Sequence, residues 1–130
     1  MSWLRKVFGG SDDLAAAPVT MNVERRTEQL VRLENALDRL VEVMKANEER
    51  MANPAWKERM AEYRRISGEC YKLRSSGFTR EQILDVAFEV RPVFGGELPP
   101  DVRAVEPPQE EALAAAAEIQ AVLPDERPTS

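Results

Sequence analysis

The sequence predicts an all-α protein: a long helical hairpin or coiled coil, a short third helix capping it, and flexible N- and C-terminal segments. Three observations carry this. Residues 22–52 hold neither glycine nor proline, and apolar side chains recur there every seven positions. Residues 54–76 repeat that spacing after an Asn53-Pro54 break. Seven of the nine prolines lie beyond residue 91, in a stretch whose composition suits a chain unable to bury enough apolar surface to order itself.

Residues 1–10 read as a short amphipathic segment. On a helix, Trp3, Leu4, Val7 and Phe8 share one side, with Arg5 and Lys6 on the other. Two aromatic rings beside two cations suit a foot lying in a membrane interface. So short a segment binds weakly by itself, and attachment needs several copies held together. The plainer use of the same residues is docking on the chain's own helices or on a partner protein. A linker follows over 11–19, after Gly9-Gly10 and up to Pro18.

Residues 20–91 make the helical domain. The first helix, 22–52, carries Val23, Leu30, Leu37, Met44 and Met51 seven apart. Leu33 and Leu40 fall on an intermediate row, which Arg26 and Asn47 interrupt. A seam at this period lets two helices interlock along their length. Val31, Val41 and Val43 widen the stripe, which predicts more than one neighbour. Thirty residues at ~1.5 Å each reach roughly 45 Å, long for a compact domain of this size.

Pro54 suits the first turn of a new helix, with Asn53 as its N-cap. Over 54–76 the apolar face is Trp56, Met60, Tyr63, Ile66, Cys70 and Leu73. Two helices of matching period across so short a break predict an antiparallel hairpin. The alternative is a bend, with the seam formed between chains as a homo-oligomer. Either way the expected interface is Val23, Leu30, Leu33, Leu37, Leu40, Met44, Met51, Trp56, Met60, Tyr63 and Ile66.

Gly77 supplies a helix stop. Thr79 with Gln82 three residues on makes a capping box for a third helix, 80–90, presenting Ile83, Leu84, Ala87, Phe88 and Val90. Phe78 enters as a staple residue, and this helix is expected to fold over the open end of the hairpin. Over about 16 residues, Leu73 to Phe88 resembles the first loop and second helix of ubiquitin-associated three-helix modules, through Gly77-Phe78-Thr79, Glu81 and Ala87. The third helix of such a module would fall on residues 92–100, where Gly95-Gly96 and three prolines forbid it, so no binding role follows. Residues 92–108 read as a linker, 109–123 as an alanine-rich helix with Leu113, Ala116, Ile119 and Leu123 on a weak stripe, and 124–130 as a tail. The folded part is thus expected to end near Arg91.

Composition narrows function. With no histidine, acid–base catalysis by imidazole and His-based triads are excluded. Cys70 stands alone, which excludes a disulfide within the chain and a Cys/His zinc site. Its place on the apolar stripe makes it a core thiol. The carboxylate pairs Glu24/Glu28 and Glu58/Glu62 read as solvated charge. Sixteen bases and fifteen acids occupy residues 1–91, while eight acids and two bases follow, so the net −5 belongs to the C-terminal stretch. The basic side of the second helix, with Arg64, Arg65, Lys72 and Arg74, offers a phosphate-contacting face, or a solvated one paired with acids of the first helix. The acidic C-terminal stretch disfavours a nucleic-acid partner.

The sequence therefore predicts a non-enzymatic adaptor, scaffold or assembly protein acting through coiled-coil contacts, in a membrane-associated complex or a phage particle. No cofactor, metal or small-molecule substrate is expected. The alternatives are a small regulator of a single enzyme or polymerase, and a nucleic-acid accessory protein. No segment has the roughly 18 apolar residues of a spanning helix or the apolar core of a secretory signal. A cytoplasmic location, peripheral at a membrane or within a large assembly, is expected from these features and the unpaired cysteine.

Overall fold

The computed structural model describes residues 20–126. The expected foot, Trp3, Leu4, Val7 and Phe8, lies outside the described residues. The protein is all-α, with no strand among the described residues. Among the described residues four α-helices follow one another: α1 (Val23–Ala46), α2 (Pro54–Ser76), α3 (Arg80–Phe88) and α4 (Glu106–Gln120). Short 3₁₀ turns stand at Arg50–Ala52, Pro100–Val105 and Pro124–Glu126.

The break between α1 and α2 comes earlier than the sequence pattern predicts. The helix expected over 22–52 stops at Ala46, because Asn47 competes with the helical ladder. Its side-chain oxygen accepts the Arg50 amide at 3.0 Å, and its amide group donates to the Asp101 carbonyl at 3.2 Å. Met51 thereby leaves the helix and is only half-buried. Asn53 then caps α2, accepting from the Ala55 amide at 2.8 Å. The indole of Trp56 reaches back to donate to the Met44 carbonyl at 3.0 Å, which also accepts the Asn47 amide at 3.2 Å, and so ties α2 to the end of α1.

Cross-contacts fix how α1 and α2 lie. Asp38 accepts from Ser67, and Glu34 takes a two-pronged contact from Arg74. Partner numbers rise on one helix as they fall on the other, so the two lie antiparallel. Leu30, Leu33, Leu37, Leu40 and Met44 are sealed from solvent, as are Tyr63, Ile66 and Cys70.

Gly77 ends α2 with φ of 96°, a conformation that suits a residue without Cβ. The Thr79/Gln82 capping box opens α3. Ile83, Val86 and Ala87 face inward, while Phe88, expected on that face, is 63 % exposed. Packed on α2 and α4, α3 is followed by a loop that the Tyr63 hydroxyl anchors at the Arg91 carbonyl, 2.5 Å away. Residues 92–99 form no helix, so the third helix of a ubiquitin-associated module has no counterpart.

The core runs past Arg91. Over Glu106–Gln120, α4 lies against α1 and buries Ala112, Ala115, Ala116 and Ile119. Alanine allows two helices to approach closely, and Ala36, fully buried on α1, meets this requirement from the other side by helical phase. The compact unit is Val23–Ala121. Residues 20–22 and 122–126 belong to a separate unit, in which Asn22 donates to Glu126 at 2.8 Å and to Asp125 at 2.7 Å.

Candidate functional site

The side of α1 that faces neither α2 nor solvent alone is where a site forms. Arg26 stands at its N-terminal end, fully buried. Its guanidinium donates to Gln29 at 2.8 Å and to the carbonyls of Ile119 at 2.9 Å and Ala121 at 2.8 Å. The Ile119 carbonyl belongs to the last turn of α4, which lacks intrahelical donors and carries the negative end of the helix dipole, and Ala121 follows it directly. Midway, Arg32 pairs with Glu111 at 2.9 Å and with Glu118. At the far end, Asn47 holds the Asp101 carbonyl and Arg50 grips the Asp101 carboxylate at 2.9 and 3.1 Å. Arg50 also lies over the rings of Trp56 and Phe94, at 6.0 and 5.6 Å. Its position is thus set by the α1–α2 turn, and it carries the 3₁₀ turn with it.

Between this last anchor and the start of α4, the alanine contact gives way to a 3₁₀ turn and the Pro107-Pro108 pair. The chain stands off α1, leaving an open groove of about 740 Å³. Val43 and Ala46 of α1 face Val102, Ala104 and Val105 across it, with Glu42, Glu48 and Asp101 at the rim. A second depression of about 480 Å³ shares Glu42 and Val43 and adds Arg39, Pro107, Pro108 and Glu111. Val102, Val105 and Pro108 are buried, whereas Ala46, Ala104 and Pro107 remain exposed. The Arg50 guanidinium holds the Asp101 carboxyl below the usual carboxylate range, and Arg32 does the same to Glu111.

The residues expected at an interface fall into two groups. Leu30, Leu33, Leu37, Leu40, Met44, Trp56, Met60, Tyr63 and Ile66 are buried inside this chain. Within this chain α2 and α4 both pack against α1. Met51 is half-buried, and Val23 is 56 % exposed. Of the four basic residues offered to phosphate, Arg74 is held by Glu34 and Arg65 by Glu89 at 2.6 Å. Arg64 and Lys72 are exposed, and neither makes an ion pair among the described residues.

Cys70 is buried, and burial foremost, then the nearby Glu34, pushes its thiol up to about 12, so it stays protonated and unreactive. Among the described residues, no three histidine, cysteine or carboxylate groups lie close enough to hold a metal ion. No helix there is long and apolar enough to cross a membrane. Comparison with family models, with curated proteins and with solved structures gives no match to this chain.

One wall of the groove lies on residues the sequence assigned to a linker. Two signals pointed to it. Arg26 and Asn47, the interruptions of the apolar row, are the residues that hold the two ends of the C-terminal segment. Val102 and Val105 of the expected linker extend the three-and-four spacing of Ala112, Ala115, Ala116 and Ile119 in the expected alanine-rich helix.

Proposed function

We propose that the chain is a non-enzymatic helical adaptor that acts through protein–protein contacts, with the groove along α1 as its working surface. The observation that carries this is the groove itself: apolar side chains of two elements line an open concavity that no side chain of the described protein fills. Its volume falls within the range of about 300–1,000 Å³ seen for ligand sites, yet it is open along its length, which favours side chains of a docked segment over an enclosed small molecule.

The finer architecture follows the same reading. Helices α1 and α2 are read as a hairpin whose seam closes within one chain. A coiled coil between chains on the same stripe would require Leu30, Leu37 and Met44 to serve two neighbours at once. Membership of a membrane-associated complex or a phage particle, and control of a single enzyme, are versions of this reading that differ only in the partner. The nucleic-acid reading retains less, since two of its four cations are already engaged by carboxylates.

Photo-cross-linking in the native cell tests the proposal. With a benzophenone side chain at position 43, the expected result is a covalent adduct to one protein of defined mass, and none from the exposed Ser75 on α2. No protein adduct at position 43, or equal adducts from both positions, contradicts it.

A further inference from the structure

We infer that the α1 groove receives a basic amphipathic helix of a partner protein. The inference rests on the adaptor reading and names the chemistry of the partner. Shape comes first. The two depressions, which share Glu42 and Val43, run from Arg39 to Ala46 on α1, about 10 Å along the axis at ~1.5 Å per residue. That length matches about two turns of a helix laid alongside, which would present apolar residues at i, i+3 or i+4, and i+7 to Val43, Ala46 and Ala104.

Charge decides which helix. Glu42 and Glu48 stand exposed at the rim and form no ion pair among the described residues. The third carboxylate there, Asp101, is already paired with Arg50, so the uncompensated negative charge is that of Glu42 and Glu48. Arg39 is the one cation lining the two depressions. An acidic helix or a phosphate backbone would be repelled here. Lysine or arginine suits the rim, because a long aliphatic stem crosses apolar surface while its charged end reaches a carboxylate.

A titration of the full chain by fluorescence anisotropy tests this. The probe is a labelled, helix-stapled peptide of about 14 residues with leucines at i, i+3, i+4 and i+7 and flanking lysines. A second peptide carries glutamates in place of the lysines. The lysine peptide is expected to bind in the micromolar range, to weaken at least tenfold on E42K/E48K, and to weaken with added salt. The glutamate peptide is expected to show no binding. Both substituted positions are exposed, and an unchanged melting temperature confirms an intact fold. Equal binding of the two peptides, indifference to E42K/E48K, or no binding of the lysine peptide overturns the inference. A dimer of the chain alone that V43E dissolves overturns it too, by assigning the groove to a second copy. In each of these outcomes a position-43 cross-link to another protein still upholds the adaptor reading, and its absence refutes that reading separately.

Discussion

Helix α1 is packed on both sides, and the two sides are built on different chemistry. Toward α2, branched and aromatic side chains fill the space: Leu30, Leu37 and Val41 share a helical phase with Glu34 and Asp38, opposite Tyr63, Ile66 and Cys70. Toward α4, which buries Ala112, Ala115, Ala116 and Ile119, the side chains are mostly smaller, and polar anchors hold the contact. An alanine methyl contributes far less burial than a leucine side chain, at about 0.8 kcal/mol per buried methylene. The α4 side therefore depends on Arg26, Arg32, Asn47 and Arg50 for position in a way the α2 side does not. The same difference makes the groove: side chains too small to fill the space, ended by two prolines and a 3₁₀ turn, leave apolar surface uncovered beside α1.

That contrast predicts a graded response to substitution. Leu37 is fully buried, and Leu37→Ala on the α2 side is expected to lower global stability by about 4 kcal/mol, through lost burial and the cavity left behind. Urea denaturation followed by circular dichroism measures it. Arg26→Met on the α4 side is expected to cost about 2 to 3 kcal/mol. Ile119 then keeps a buried carbonyl without its Arg26 donor, and methionine replaces only the volume. The same denaturation experiment checks it, and a change equal to that of Leu37→Ala would show the two sides to be one cooperative unit.

The smallest effect lies in the exposed ion pairs. Asp101 and Glu111 have folded pKa values below their ordinary 3.8 and 4.5. Their contribution is therefore complete above pH 4.5 and disappears as pH falls through the lowered values. Carboxyl-detected NMR titration should place both midpoints below those ordinary values. Arg50→Gln and Arg32→Gln should return them, and midpoints unmoved by either substitution would contradict the pairing. Both carboxylates are well solvated, so the accompanying loss of stability is small.

What could be read from the sequence followed the same division. The α2 side was legible because it is written in large apolar residues at a regular period, bounded by Asn53-Pro54 and by Gly77. The α4 side was not, because alanine signals helix propensity without signalling burial, and proline and acid density resemble those of an unfolded stretch. Arg26 and Asn47 looked like defects in an interface and are instead the points of attachment. The groove escaped for a related reason. It needs a linker residue such as Val105 to lie beside Val43, a placement that only the attachment of α4 produces.

The account turns on α4 being held against α1, since without it the groove has only one wall. Native-state hydrogen exchange over residues 106–120 measures this directly, in the unmodified chain and in Arg26→Met. The expected result is strong protection of the Ala112 to Ile119 amides in the unmodified chain, with selective loss in the variant while α2 stays protected. Rapid exchange of those amides in the unmodified chain would contradict it.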